Sequence, residues 1–269
     1  MPKSLIMSLF GVLVVSAFFQ AEAQSDQVFL AQKHKTIIHK EVDPNYKPET
    51  VLDKNESLFM VNAQSINEER YEDIKGSPFY FETWQRGRVV ENDSMSINDV
   101  LINFNAYEGT FEVKHGSRDV FIELDEKAYQ RIEVAPNADE ETAVDWNVEG
   151  KIIFQRKLHP RFKKDYVRVI YDGQKVKLVE HHKTIVDENT IQSYGETKVF
   201  KRFAYRKFFY LVEGEIATMV KLKRKKFLPM LRNPKALDKH LKSTGNDLNN
   251  YEDYVKLMTF YETELLGTK

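Results

Sequence analysis

Cysteine is absent from the 269 residues of this sequence, and its absence excludes several kinds of chemistry. A chain without cysteine has no thiol nucleophile, no cysteine-ligated zinc site and no thiol redox chemistry. It also has no disulfide, so its stability has to come from a buried core. About 245 residues remain after the N-terminal segment described next, and a chain of that length can bury roughly 70–75% of its unfolded surface. One large domain or two small ones fit this length.

Long hydrophobic runs are lacking too, with one exception near the N-terminus. Residues 5–19 form an apolar stretch of 15 residues, which as a helix at ~1.5 Å per residue is too short for the ~30 Å hydrocarbon core of a bilayer. Lys3 precedes the stretch, and Ala21-Glu22-Ala23 follows it as a small-x-small cleavage site. We predict that residues 1–23 are a cleaved signal peptide. The processed chain is then expected to be water-soluble, without a transmembrane anchor, in the periplasm or at the outer membrane, or alternatively outside the cell.

Catalytic and nucleotide-binding motifs are also missing. The processed chain contains no Gly-x-Ser-x-Gly or Ser-x-x-Lys motif, no P-loop, no Gly-x-Gly-x-x-Gly and no His-Glu-x-x-His. His181 and His182 beside Glu180 come nearest to a metal cluster, but neighbouring residues of a strand point to opposite faces. We therefore predict solvent-facing histidines, no metal and no cofactor. A catalytic triad assembled in space from distant residues stays possible.

The chain beyond residue 23 divides by its pattern. Residues 24–75 are polar and irregular, and we predict an extended lead-in with a short helix near its end. From residue 76 the pattern has period 2, as where Val100, Ile102 and Phe104 alternate with Asn103 and Asn105. Such alternation predicts antiparallel strands with one apolar face and one solvent-facing side over residues 76–224.

Turn and cap residues predict the connections. Asp172-Gly173 between two alternating runs favours a hairpin with a type I′ turn, and Glu213-Gly214-Glu215 favours a second hairpin. In residues 225–269, Asn233-Pro234 and Asn250 are helix-start signals, and Gly245 can end a helix. The predicted fold is therefore mainly β (α+β): a curved antiparallel sheet, or a partly open β-barrel or β-roll, with two or three C-terminal helices packed on it.

Several short motifs lie along the sheet region and the last helix. They are Gly76-Ser77-Pro78, Trp84-Gln85-Arg86-Gly87-Arg88-Val89, Leu101-Ile102-Asn103-Phe104-Asn105-Ala106-Tyr107, Tyr171-Asp172-Gly173 and Asn249-Asn250-Tyr251. With these motifs the chain resembles a family of uncharacterised exported proteins of the Bacteroidota over most of residues 76–265, although Phe104 stands where a tyrosine is frequent in that family. The resemblance implies a cell-envelope location and supplies no activity.

Positive charge is concentrated in one part of the chain. Residues 151–226 contain 20 Lys and Arg against 8 Asp and Glu, a net of +12, so the remainder carries −13. This split indicates either an anion-binding face or two halves of the chain that attract one another. Within it, basic residues interleave with aromatic ones, and the candidates for binding an anion or a partner are Lys201, Arg202, Arg206, Lys207, Lys221, Lys223, Arg224, Lys225 and Lys226.

Basic residues among aromatics are typical of single-stranded nucleic-acid grooves and of anionic-lipid surfaces. For an exported protein we expect anionic lipid, polysaccharide or an acidic envelope protein, and no nucleic acid. The alternative is that these side chains lie along strand faces with their stems over apolar surface.

The sequence thus predicts a non-enzymatic binding or structural interaction module of the cell envelope. Two alternatives remain open: a carrier of a lipid or another apolar ligand, and a hydrolase acting on envelope polymers. An open apolar cavity would favour the carrier, a filled interior would favour the interaction module, and a cleft where carboxylates or a histidine converge would favour the hydrolase.

Overall fold

The computed structural model describes residues 64–66, 68–91, 95–114, 121–125, 128–136, 144–146, 150–193 and 196–267. The predicted signal peptide and most of the predicted lead-in lie outside these residues. The strands are β1 (Gln64–Ile66), β2 (Ile74–Lys75), β3 (Gln85–Glu91), β4 (Met95–Asn105), β5 (Thr110–Lys114), β6 (Phe121–Glu123), β7 (Tyr129–Ala135), β8 (Ile152–Gln155), β9 (Val167–Asp172), β10 (Lys177–Ser193), β11 (Glu196–Glu213) and β12 (Ile216–Val220). The helices follow the last strand as α1 (Arg224–Phe227), α2 (Pro234–Thr244) and α3 (Tyr251–Phe260).

One sheet contains all these strands. Its order is β1-β6-β5-β4-β3-β7-β8-β9-β10-β11-β12, with antiparallel pairs throughout, and β2 adds a parallel pair to β11. Over the described part of the chain this path has two free ends and does not close into a barrel. These features confirm the predicted mainly β fold with helices near the C-terminus.

The sheet is strongly curved. Thr184 of β10 donates its backbone N–H to the carbonyl of Ala106, just after β4, over 3.0 Å. Four strands separate β4 from β10 in the sheet order, so this contact requires the sheet to curl back on itself. The curvature brings the loop between β2 and β3 against β10 and β11, which matters for the polar cluster described below.

Regular structure begins earlier than the sequence predicts. β1, a 3-10 turn at Glu68–Tyr71 and β2 all lie within the segment predicted to be irregular. The turn agrees with the short helix expected there. The two strands have three and two residues, too short to show a period-2 pattern, so their pairing depends on the strands they meet.

Both faces of β4 are covered, which contradicts the predicted solvent-facing side. Val100, Ile102 and Phe104 lie in the core as expected, but Asn103 and Asn105 are buried as well. Asn103 exchanges hydrogen bonds with the backbone of Phe81, donating over 3.0 Å and accepting over 3.2 Å. Segments outside the alternating pattern therefore cover this face, and the amide side chains satisfy the buried backbone.

Aromatic rings fill the space inside the curve. Phe104, Phe111, Phe154 and Tyr166 are each 2% exposed or less. The ring centroid of Phe111 lies 4.8 Å from that of Phe104, 5.1 Å from that of Phe154 and 4.9 Å from that of Tyr166. These separations are those of rings in direct contact, so this part of the interior is filled.

Both predicted hairpins form, one with a different turn. The β11–β12 turn uses Gly214 at φ +57°, as expected. In the β9–β10 hairpin Asp172 pairs with Lys177 across a four-residue loop, and Gly173 does not adopt positive φ. The predicted type I′ turn is therefore wrong. A side chain at Gly173 would instead collide with the carboxylate of Glu262. A glycine is needed here because the Glu262 side chain lies so close to the backbone.

The helix signals are confirmed. The side chain of Asn233 accepts from the N–H of Ala236, Gly245 ends α2 at φ +65°, and Asn250 accepts from the N–H of Asp253. The apolar sides of the helices cover one face of the sheet at β9–β12. The buried residues of this interface are Val176, Leu178, Leu211, Val220, Phe227, Leu228, Leu231, Leu237, Leu241, Leu248, Tyr254, Leu257, Met258 and Tyr261.

Candidate functional site

The predicted basic residues of β11 are offset by acids on the neighbouring strand. Lys201 lies opposite Glu188 in the β10–β11 ladder, with 3.6 Å between Nζ and Oε1. Arg202 lies opposite Asp187, with 4.0 Å between Nη2 and Oδ2. These exposed pairs contribute little stability, but each places a negative charge beside the positive one. The two cations therefore do not form a strongly positive surface.

Arg206 and Lys207 follow on the same strand and diverge. Both are exposed, and their side chains point to opposite faces because they are adjacent in a strand. The Nζ atom of Lys207 lies 3.8 Å from Oε1 of the buried Glu180 and 5.9 Å from the ring centroid of Tyr80. Lys207 therefore belongs to the polar cluster around the buried Glu180, described below.

The remaining candidates form a separate group. Val220 at the end of β12 pairs with Phe209, whereas Lys201 lies eight positions away along β11. At ~3.3 Å per residue that is roughly 26 Å. The structure therefore places Lys201 and Arg202 far from the cations that follow β12, whereas Arg206 and Lys207 lie within three positions of Phe209. We call residues 221–226 the basic segment; it contains Lys221, Lys223, Arg224, Lys225 and Lys226.

Part of the basic segment lines an open groove between α1 and α2. The groove has a volume of about 610 Å³, within the size range of small-molecule sites. Its lining carries four cationic side chains against one carboxylate, together with apolar side chains from the turn after α1 and the start of α2. We call it the basic groove; its lining residues are Arg224, Lys225, Leu228, Pro229, Pro234, Lys235, Asp238 and Lys242.

The charges within the basic groove are unevenly paired. Asp238 accepts from Lys242 over 2.7 Å and from Arg224 over 2.8 Å, and these hydrogen bonds lower the pKa of its carboxyl. The ammonium groups of Lys225 and Lys235 make no ion pair or hydrogen bond with any residue that the structure describes. Two exposed cations are thus free to bind an anion at this site.

The residues that α2 contributes to the groove are not among the predicted candidates. Lys235, Asp238 and Lys242 follow the spacing i, i+3, i+7, which places them on one side of a helix. That spacing indicates a charged stripe along α2 and is visible in the sequence. Lys221, Lys223 and Lys226 do not line the groove, although they are exposed nearby.

A second group of polar side chains lies between β9–β11, the loop before β3 and the start of α3. The Tyr251 hydroxyl donates to Oε2 of Glu180 over 2.7 Å. Arg168 donates to the Tyr80 hydroxyl over 2.7 Å, and its guanidinium lies 4.4 Å from the ring centroid of Tyr251. We call this group the Glu180 cluster; its members are Tyr80, Arg168, Glu180, His182, Lys207 and Tyr251.

The pKa of Glu180 is lowered although its side chain has no exposed surface. Burial raises its pKa, but the neighbouring His182 and the Tyr251 hydroxyl lower it, and so do the charges of Lys207 and Arg168. The net effect is a pKa below the usual range of a glutamate. The Nδ1 atom of His182 approaches Oε1 of Glu180 to 3.5 Å, but neither atom has a hydrogen-bond partner among the residues that the structure describes.

The two histidines differ from the prediction in one respect. They point to opposite faces of β10, as predicted: His181 lies 3.7 Å from Asp165 and against Phe162, and the ring of His182 lies 4.8 Å from that of Tyr80. The prediction that they face solvent is wrong, because they are 8% and 6% exposed. β10 is an interior strand whose two faces are both covered at this point.

No group of three histidine or acidic side chains positioned to hold a metal ion was found in the described ranges. Across the same ranges, no helix combines the length and the apolar character that crossing a bilayer requires. Neither a protein-family model, nor a curated protein, nor a solved structure matches the chain.

Proposed function

We propose that the protein is an exported interaction module of the cell envelope that binds an anionic partner in the basic groove. The observation that carries this proposal is the pair of unpaired ammonium groups, Lys225 and Lys235, on a groove whose only carboxylate, Asp238, is already bound by two other cations. An anion entering there meets positive charge that no described residue neutralises.

The interior supports binding at the surface over carriage of an apolar ligand. The aromatic rings around Phe111 fill the curve of the sheet, and a second cluster of buried apolar side chains fills the space between the sheet and the helices. A carrier would need an apolar space several hundred Å³ in volume. The groove has such a volume, but it is open and rimmed by cations.

The Glu180 cluster is better explained as a structural contact than as a hydrolytic site. It does bring a carboxylate and a histidine together, which a hydrolase would need. A general acid or base has to touch its substrate, however, and Glu180 has no exposed surface while His182 is 6% exposed. What the cluster does is to connect α3 to β10 through the hydroxyl of Tyr251 and to β9 through the Arg168 guanidinium against the Tyr251 ring.

Binding of a soluble polyanion tests the role of the groove. Dextran sulfate is titrated into the protein, with uncharged dextran as the negative control. The double variant Lys225→Glu with Lys235→Glu is expected to weaken the affinity about tenfold, the effect of losing two cations from an anion site.

The matched control is Lys226→Glu with Lys239→Glu, which changes the net charge equally on the same two helices but outside the groove lining. Its affinity is expected to fall less than about threefold. Equal losses in the two double variants would mean that charge in general, and not the groove, attracts the polyanion.

The envelope location is tested separately. It is supported by the order of charge, apolar stretch and cleavage site in residues 1–23, and by the resemblance to exported Bacteroidota proteins. Mass spectrometry of the protein purified from its own cells should find Gln24 as the first residue. An intact cytosolic chain beginning at Met1 would contradict export.

A further inference from the structure

The basic groove combines its cations with apolar side chains. Leu228, Pro229 and Pro234 form part of its lining. Met230 follows directly, at the end of the 3-10 turn Leu228–Met230, and is 45% exposed. Met230 therefore adds exposed apolar surface next in sequence to the residues that line the groove.

The same part of the chain has a high density of positive charge. The basic segment has five cations in six positions and no acid. Of these five, Arg224 alone pairs with described acids, through Asp238 and Asp247. Clusters of four to eight basic residues are attracted to the negative potential of an anionic lipid surface.

From these observations we infer that the anionic partner is the surface of an anionic bilayer, with a phospholipid phosphate in the basic groove and Met230 in the boundary between headgroups and acyl chains. This inference rests on the proposed function and names its ligand. A peripheral site of this kind joins cations to apolar side chains that enter the interface by a few ångströms. A polysaccharide would satisfy the cations but would leave the exposed Met230 without an apolar partner.

Vesicle binding tests the inference with the protein as purified from its own cells. Co-sedimentation is measured with vesicles of phosphatidylcholine alone and with vesicles of phosphatidylcholine and phosphatidylglycerol in equal amounts. We expect binding to the anionic vesicles only, decreasing with added salt. The variant Lys225→Glu with Lys235→Glu should weaken it more than about tenfold.

Met230→Ser tests the apolar contact. It should weaken binding to anionic vesicles about fivefold, because a methionine that enters the membrane interface buries part of its apolar area there. It should leave binding of dextran sulfate unchanged. The control is Met219→Ser. Met219 lies on β12 and is 53% exposed. It pairs with Tyr210 and so lies on the same sheet face, which is the face away from the helices. That variant should bind vesicles like the unchanged protein.

The outcomes separate this inference from the proposed function. Binding to dextran sulfate without binding to anionic vesicles overturns the lipid inference and leaves the anion-binding module in place. Equal effects of Met230→Ser and Met219→Ser on vesicle binding also overturn it, because Met230 would then make no specific contact with the bilayer. Binding to neither probe overturns both proposals.

Discussion

Tyr171 donates its hydroxyl proton to Oε2 of Glu262 over 2.6 Å, which joins the end of β9 to the π-helical turn after α3. The other carboxylate oxygen of Glu262 accepts from the backbone N–H of Lys175 in the β9–β10 loop. Burial raises the pKa of Glu262, but these hydrogen bonds lower it below its usual range. The last turn of the chain is thus bound to the hairpin by a carboxylate, and Gly173 leaves space for it.

Replacing that glycine should therefore destabilise the protein. In Gly173→Ala, the new Cβ would collide with the Glu262 carboxylate and approach Cε1 of Tyr171 to 2.6 Å. We expect a loss of about 1–3 kcal/mol in the free energy of unfolding, measured in urea. Gln174→Ala in the same loop is the control and should change it by less than about 0.5 kcal/mol. A stable Gly173→Ala would show that Glu262 does not dock as described.

The hydroxyl of Tyr251 should contribute more to stability than that of Tyr254 on the same helix. The first donates to the buried Glu180, whereas the second has no hydrogen-bond partner among the described residues. Tyr251→Phe leaves a buried carboxylate oxygen without its donor and should cost about 1–3 kcal/mol. Tyr254→Phe should be neutral or slightly stabilising. Equal values for the two variants in urea unfolding would contradict this account of the Glu180 cluster.

Two buried glutamates should affect the pH dependence of stability in opposite directions. The pKa of Glu180 is lowered, as described above. The pKa of Glu112 is raised, because burial outweighs the charge of Arg70 and the hydrogen bond from Asn105. The unfolded chain has a glutamate pKa of about 4.3. A glutamate whose folded pKa is lower than that stabilises the protein at higher pH, and this stability is lost as the pH falls through the folded pKa. A glutamate whose folded pKa is higher stabilises the protein at lower pH, and this stability is lost as the pH rises through the folded pKa.

The variants Glu180→Gln and Glu112→Gln test these signs. Relative to the unchanged protein, Glu180→Gln should become more destabilising as pH rises from acid to neutral, because it removes a contribution present at neutral pH. Glu112→Gln should become less destabilising over the same range. Urea unfolding at a series of pH values measures both slopes, and slopes of the same sign would refute the assignment.

Asn233 should tolerate glycine better than alanine. It has φ +52° and its side chain caps α2. Asn233→Gly keeps the left-handed backbone but loses the cap, whereas Asn233→Ala loses the cap and adds backbone strain. In thermal unfolding we expect the unchanged protein to be the most stable, Asn233→Gly to be less stable and Asn233→Ala to be the least stable. The free energy of unfolding of Asn233→Ala should be lower than that of the unchanged protein by about 1–3 kcal/mol. Alanine equal to glycine would mean that the backbone at Asn233 is unstrained.

Several features of the fold could be predicted from the sequence because they depend on residues close together in the chain. Asn233 and Asn250 cap helices through backbone groups three residues away. Gly214 lies in a turn whose strands begin beside it. The apolar side of β4 follows from alternation alone. In each case the interacting groups lie within a few positions, so propensity and periodicity contain the necessary information.

The candidate site could be predicted only in part. The density of cations in residues 221–226 is visible in the sequence, and Arg224 and Lys225 do line the basic groove. Lys201 and Arg202 looked equivalent to them, but the β10–β11 register sets acids opposite both. The register of two long strands depends on all the residue pairs along them. Which lysine or arginine faces an acid is therefore known only once the two strands are paired.

Sequence alone therefore determined the fold class, the helix caps, both hairpin positions and the concentration of basic charge. The tertiary structure decided which polar groups are buried, why Gly173 is glycine, and which lysines share a groove. The physical reason is separation along the chain: Tyr251 lies 71 positions from Glu180, and Tyr171 lies 91 positions from Glu262. Contacts at such distances form only when the curved sheet and its helices are assembled, and no local pattern encodes them.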